Sequence, residues 1–327
     1  MIGWLIIVPL LICAAARAAR LEESSSLLLL ATGLTPLLGP PALVALAIGL
    51  WQRRRPLAVV SAATAAAHLC SALSGLGAPV GGPSPAGTLP ALRLFSANVY
   101  QEANRDLGRI GQEIRASAPD LVALQEVDPD GAAGLQRSGV LAAFPYAVTE
   151  LRKGPSGIGL WSRFPVADSH VRDVHGMAVI KATILLGADR LRLYTVHTVA
   201  PLGDDRARWR AQLRWVEQEI RRERGPLVVA GDFNATRYHH SFRRLLSERL
   251  GDAHERRGRG WATTWPRDRW PLPPLLRLDH VLVSPDIGVR SIKEGLGQGS
   301  DHRPIIAELV LRSGAAALGR LERKGPP

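Results

Sequence analysis

"PLVVAGDFNAT", residues 226 to 236, is an apolar run that ends on a glycine, a carboxylate and an amide. The run is too short for an ordinary helix and reads as a buried strand. Asp232 and Asn234 then either cap a turn or deliver polar groups to a cleft. The same construction recurs along the chain. Asn98 closes "LRLFSANV" (92 to 99) and Glu126 closes "DLVALQEV" (120 to 127). His197 follows "LYTV", Asp279 opens "HVLVS", and Asp301 and His302 open "PIIAELVL" (304 to 311). Taken singly, each has a bland explanation: a capped turn at 232 to 234, a sheet-edge charge at Glu126, a satisfied core imidazole at His197. Eight such groups, each abutting an apolar strand, favour one shared site at a sheet rim. Carboxylate and amide oxygens are hard donors suited to Mg2+ or Mn2+.

Helical signals lie between these strands. One helix is expected from about Arg105 to Ala118. In another, Trp209, Leu213, Val216 and Ile220 recur at three- and four-residue spacing and form one apolar stripe. Its arginine-rich opposite face (Arg206, Arg208, Arg210, Arg214, Arg221, Arg222) reads as solvated surface. "GIGLWSR", "AVIKATILL" and "LRLYTVHT" supply further strands. Strands and helices in this mixture predict packed sheets flanked by helices.

The 327 residues carry a formal net charge of +12. Five arginines against Glu22 and Glu23 leave +3 on the first ninety residues, so +9 lies beyond them. That excess suits an anionic partner: nucleic acid, a phosphorylated small molecule or acidic lipid. The two cysteines, Cys13 and Cys70, both fall in apolar runs, so neither a disulfide framework nor a zinc-thiolate site serves the polar part of the chain.

The first ninety residues differ in kind. "IGWLIIVPLLICAAA" (2 to 16), "LLLLATGLTPLLGPPALVALAIGL" (27 to 50) and "LAVVSAATAAAHLCSALSGLG" (57 to 77) predict about three transmembrane helices, given the roughly 20 residues that cross a bilayer. The first stretch could instead be a cleaved signal segment. Pro36, Pro40 and Pro41 kink the second stretch or divide it. His68 in the third reads as a polar group facing a neighbouring helix. Arg53, Arg54 and Arg55 between the second and third stretches, against Arg17 and Arg20 between the first two, favour a cytoplasmic 51 to 56 loop. The remainder of the chain would then lie outside the cytoplasm. The resulting plan is a multi-pass membrane domain (1–76), a Gly/Pro-rich linker (77–90), a catalytic domain (91–311) and a basic flexible tail (312–327).

In order, "SANVY", "LVALQEVD", "GLWSRFPV", "VHTVAP", "VVAGDFNAT", "RLDHVLVS" and "GSDHRPI" resemble the motifs of the endonuclease/exonuclease/phosphatase superfamily. That group contains DNase I-like nucleases, inositol-polyphosphate 5-phosphatases and neutral sphingomyelinases. The resemblance covers about residues 91 to 311. It implies an α/β fold, a four-layer α/β/β/α sandwich, and metal-dependent cleavage of phosphate esters. It also implies roles. Glu126 would be the principal metal ligand, with Asn98 and Asp301 near it. Asp232 would activate the attacking water, and Asn234 would orient the phosphate and Asp232. His302 would be the catalytic histidine held by Asp279, and His197 a phosphate-contacting histidine. Together with one metal ion, His197 and His302 would supply positive charge to the phosphate. The glutamate that pairs with the first active-site histidine in the DNase I branch has no clear counterpart.

The membrane-anchored arrangement resembles the bacterial teicoplanin-resistance group that includes VanJ, which implies a lipid-linked cell-envelope substrate and the bilayer itself as partners. Trp261, Trp265 and Trp270 precede Asp279 and read either as core or as a lip facing the bilayer. Two other functions stay open. One is an extracytoplasmic metal-dependent nuclease, to which the basic charge would contribute phosphate binding. The other is a catalytically inactive envelope binding protein.

Overall fold

Burial alternates along the strands, and this alternation builds the layers. In the structure, a computed structural model that describes residues 1–74, 91–99, 106–246, 249–267 and 273–311, two six-stranded mixed sheets face each other. The first contains β1 (Leu92–Asn98), β2 (Leu121–Gln125), β3 (Tyr146–Glu150), β4 (Ile158–Ser162), β11 (Ile287–Glu294) and β12 (Ile305–Leu311), ordered β11-β12-β1-β2-β4-β3. The second contains β5 (Val166–Val174), β6 (Met177–Leu186), β7 (Asp189–His197), β8 (Leu227–Asp232), β9 (Gly251–Asp252) and β10 (Asp279–Val283), ordered β5-β6-β7-β8-β10-β9.

Leu92, Leu94, Leu121 and Ala123 point inward from the first sheet and meet Ile180, Leu193, Val228 and Val281 of the second. The intervening residues point outward because side chains alternate along a strand. Phe95, Val122 and Leu124 pack under α5 (Leu107–Ser117) and α6 (Pro129–Arg137). Tyr194, Val196, Leu227 and Val229 pack under α7 (Asp205–Arg222) and α8 (His240–Arg243). The expected stripe of Trp209, Leu213, Val216 and Ile220 is the buried face of α7, worth about 1.5–3 kcal/mol for each fully buried side chain. Four layers result, α/β/β/α.

Two strand-helix-strand units set the rim. β1 and β2 are parallel across α5, and β7 and β8 are parallel across α7. Their carboxyl ends carry Asn98, Glu126, His197 and Asp232, the place where open α/β sheets hold ligands. β10 runs antiparallel to β8 with Asp279 opposite Asp232. β12 runs antiparallel to β1 with Ile305 opposite Ser96, which brings Asp301 and His302 to the same rim. Gly231 explains one motif glycine: its φ is +142°, and a Cβ there would overlap the Val196 carbonyl of β7.

The N-terminal part corrects the expectation of three transmembrane helices. Four helices form: α1 (Ile2–Ala18), α2 (Ser26–Gly33), α3 (Thr35–Trp51) and α4 (Arg55–Leu73). Among the described residues, only α4 is long and apolar enough to span a bilayer alone; α2 and α3 would make a second candidate only as one span bent by 85°. A multi-pass arrangement is therefore not supported. The apolar run at 27 to 50 misled because its first turns serve another purpose. Ser25 caps α2 by accepting from Leu28 N at 3.2 Å, and the chain bends at Leu34, with a proline in the first turn of α3.

α2 docks on the sandwich. Leu29 joins the cluster of Trp209 and Val196, its carbonyl lies 2.9 Å from His239 Nε2, and Ser26 Oγ accepts from Gly203 N at 3.1 Å. Just before it, Glu23 accepts from Ser241 N and Oγ at 2.7 and 2.6 Å. α1, α3 and α4 bundle around Ile7, Ala42, Ala45 and Leu57. Within this bundle His68 Nε2 lies 3.0 Å from the Leu10 carbonyl, facing a neighbouring helix as expected. The expected linker at 77–90 and tail at 312–327 lie outside the described residues.

Candidate active site

Asn98 joins the two sheets. Its Nδ2 donates to Glu126 Oε1 at 2.9 Å within its own sheet and to Asp232 Oδ2 at 3.1 Å across to the other. Glu126 follows β2 with φ +57°, a left-handed conformation that costs a non-glycine residue about 1–3 kcal/mol and places its carboxylate at the rim. Asn234 is also left-handed, at φ +45°. It folds the loop back so that its backbone N–H donates to Asp232 Oδ1 at 2.8 Å while Nδ2 donates to the Thr198 carbonyl at 2.8 Å. Asp232 is thereby held through Oδ1, and Oδ2 faces the centre.

Two histidines meet that oxygen. His197 Nε2 lies 3.7 Å from Asp232 Oδ2 and 3.6 Å from Glu126 Oε1. His302 Nε2 lies 3.8 Å from Asp232 Oδ2 and 3.9 Å from Asp301 Oδ1, while its Nδ1 pairs with Asp279 Oδ2 at 2.8 Å. All eight residues singled out in the sequence thus form one connected group. Asn98, His197, Asp232, Asp279 and His302 are buried, whereas Glu126, Asn234 and Asp301 are partly exposed and border the opening.

The electrostatics separate the two imidazoles. Burial alone would lower the pKa of His302, but the carboxylates of Asp279, Asp232 and Asp301 outweigh it and push it up to about 10. Burial lowers His197, opposed only in part by Asp232, and the neighbouring His302 charge lowers it further. The lowered pKa favours the neutral imidazole of His197, which offers an N–H rather than a charge, where two cationic histidines were expected. Its Nδ1 has no hydrogen-bonded carboxylate among the described residues, in line with the missing DNase I-type glutamate. Burial and the adjacent Asp279 raise Asp232 to about 6, against the pull of His302 and His197.

The donor set fits a hard divalent cation. Oδ1 atoms of Asp279 and Asp301 are buried without a hydrogen-bond partner among the described residues, and Asp232, Asp279 and His302 place ligand atoms within 4.8 Å of one another. The Asp279–His302 hydrogen bond already occupies one side of that trio. Glu126 is a partly exposed carboxylate on the other side of Asp232, next to Asn98, whose Nδ2 donates to the two carboxylates.

Three supporting residues, Ser300, Thr264 and Thr198, escaped the sequence reading, and a fourth, Trp265, was read there only as core or lip. Ser300 Oγ donates to the Asn98 carbonyl at 2.8 Å and accepts from His302 N at 3.1 Å, tying β1 to the His302 loop. Thr264 Oγ1 accepts from Leu278 N and Asp279 N. Thr198 Oγ1 donates to the Phe233 carbonyl at 2.6 Å. Trp265 Nε1 donates to Asp301 Oδ2 at 3.1 Å, so that indole positions a rim carboxylate. Ser300 and Thr198 lay inside motifs already noted; nothing in the sequence marked Thr264. Trp261 is 51% exposed and bonds the Ala72 carbonyl of α4, and Trp270 lies outside the described residues.

The model of the Endonuclease/Exonuclease/phosphatase family matches residues 95–302. No curated protein matches the chain by sequence. Solved structures with the same fold include an endonuclease/exonuclease/phosphatase from Beutenbergia cavernae, 21% identical with TM-score 0.53, covering 68% of this chain and 72% of that one. TDP2 from D. rerio, solved with a single-strand DNA product, is 19% identical with TM-score 0.58, over 67% of this chain and 98% of its own. The Neisseria 3' phosphatase NExo, solved with a product DNA hairpin, is 25% identical with TM-score 0.54, over 67% and 99%.

Proposed function

The chain belongs to the endonuclease/exonuclease/phosphatase family, whose members are metal-dependent phosphoesterases and nucleases, and we propose that its own substrate is a phosphate ester or pyrophosphate on a lipid-linked molecule of the cell envelope. The observation that carries the hydrolytic reading is the connected group from Glu126 through Asn98, Asp232 and His302 to Asp279. Within it each residue has a distinct task. Asp232, fixed through Oδ1 and raised by burial, accepts a proton from water at Oδ2 better than an ordinary carboxylate would near pH 7. His302, held as imidazolium by Asp279, donates from Nε2 to a phosphate oxygen as negative charge develops. Neutral His197 donates an N–H to the same group, and Asn234 holds the loop that aims Asp232. Water attacks phosphorus as Asp232 takes its proton, the bond to the leaving oxygen breaks, and that oxygen takes up a proton from solvent, to which Asp232 returns the one it accepted. Mg2+ or Mn2+ held by Glu126, Asn98 and Asp301 would supply the Lewis acid that neutralises the phosphate.

Support for a membrane setting comes from the N-terminal bundle. Leu5, Ile12, Val44, Leu50, Trp51 and Val59 are exposed on α1, α3 and α4, an outward apolar surface of the kind that lipid or a partner covers. Arg53, Arg54 and Arg55 sit at the end of α4 opposite the connection to the sandwich, which favours, for α4 as a single span, a cytoplasmic arginine cluster and an extracytoplasmic catalytic domain. A reporter fused after Pro327 that is active only in the cytoplasm would overturn this placement. If the lipid is a cell-wall intermediate, the protein contributes to teicoplanin resistance, and a strain carrying only Asp232→Asn should lose that contribution. Full resistance in strains carrying only Asp232→Asn or only His302→Ala would leave the inactive binding-protein reading.

The second reading is a nuclease, favoured by the +9 charge and by two structural neighbours solved with DNA. The two readings separate by salt. Backbone binding to nucleic acid weakens steeply as salt rises, and phosphate release from undecaprenyl pyrophosphate should not.

A further inference from the structure

A cavity of about 230 Å³ opens beside His302 and Asn234. Its roof is α2, through Leu29, Leu30 and Gly33; its floor is Leu276 and Leu278; Leu202 stands at one side. Gly33 is what lets the helix sit this low, because a Cβ there would already press on Leu276 at 3.3 Å. Leu30 is 51% and Leu202 65% exposed, so the apolar lining continues out to solvent.

We propose that this cavity holds the hydrocarbon portion of the substrate, with Leu30 and Leu202 as specificity-determining residues. The inference rests on the hydrolytic reading above and deepens it. The inner end of the cavity is bounded by two members of the catalytic group, which fixes where the phosphate of any occupant sits. The remainder offers an occupant almost no hydrogen bonds. Ser26 Oγ is engaged by Gly203 N and Arg206 Nη1. His239 is engaged at both ring nitrogens, by Thr236 N and the Leu29 carbonyl. Trp265 Nε1 is engaged by Asp301. Among the described residues, no lysine or arginine lines the cavity. A sugar or base entering here would leave its polar groups unpaired, whereas a hydrocarbon chain loses nothing and gains by leaving water. The N-terminal segment thus supplies one wall of the substrate site as well as any anchor.

The test uses full-length protein in detergent with Mg2+, assayed on isopentenyl, geranyl and farnesyl diphosphate and on p-nitrophenyl phosphate. The expected result is a kcat/KM that rises about tenfold with each added isoprene unit until the cavity is full. Leu30→Asp and, separately, Leu202→Asp should raise KM for farnesyl diphosphate about tenfold; both residues are surface-exposed, so the fold tolerates them. Turnover that is equal for all three diphosphates, or unaffected by both variants, overturns the cavity assignment while the hydrolase reading stands. No turnover of any of the four substrates overturns the hydrolase reading and this inference with it.

Discussion

Asn98 and Asp232 lie 134 residues apart in different sheets, yet Nδ2 of one donates to Oδ2 of the other at 3.1 Å. The site is therefore a product of the sandwich and not of either sheet alone. Asp232→Asn should cut turnover by about 10²–10⁴, the usual range for losing a general base. It should also stabilise the fold in EDTA at pH 7. An acid whose folded pKa is raised to about 6 penalises the folded state once ionised, a penalty absent at low pH and full above pH 6. A lower thermal midpoint for this variant would show that Asp232 is structural.

Asp279 acts through His302. The two are joined at 2.8 Å, and Asp279 N is itself held by Thr264 Oγ1. Asp279→Asn and His302→Ala should each lower kcat by about 10²–10⁴, and the double variant should be little worse than His302→Ala alone. Fully additive losses in that cycle would mean that Asp279 works independently of the imidazole.

Glu126 pays for its left-handed backbone only if its carboxylate has a task at the rim. Mg2+ at about 100 times its dissociation constant should stabilise the protein by about 2.7 kcal/mol, read as a shift of the thermal midpoint that EDTA reverses. Glu126→Gln should remove most of that shift. An unchanged shift would move the cation to Asp232, Asp279 and His302.

Much of this was legible from strand ends, because an apolar run that stops on a carboxylate or imidazole leaves few places for that group other than a rim. The strands at 92 to 99, 226 to 233 and 304 to 311 formed where their alternation and apolar runs predict, and all eight candidate residues came together. The N-terminal segment was not legible in the same way. Leu29 in α2 is as apolar as any membrane residue, and composition alone does not distinguish a helix covered by lipid from one covered by Trp209 and Val196. The protonation of His197 was equally hidden, since it depends on full burial and on a neighbouring cationic His302, neither visible in a motif.

A second buried charge group supports the fold away from the site. Asp252 accepts from Arg277 Nη1 at 2.9 Å, pairs with His280 Nδ1 at 2.7 Å, and caps α9 (Ala253–Arg256). Burial would raise its pKa, but Arg277 and His280 hold it well below the usual carboxylate range. Its stabilisation is complete above the unfolded value near 4 and is lost as pH falls below that. Asp252→Asn should cost about 3–5 kcal/mol at pH 7 and flatten the acid limb of a stability-pH profile. An unchanged acid limb would place the acid sensitivity elsewhere.

The most direct measurement is phosphate release from undecaprenyl pyrophosphate by the full-length protein in detergent, with Mg2+ and then EDTA, beside plasmid nicking by the same preparation and by Asp232→Asn. The expected result is release that EDTA and Asp232→Asn both abolish, without nicking. Nicking without release, or release that survives in Asp232→Asn, would contradict it.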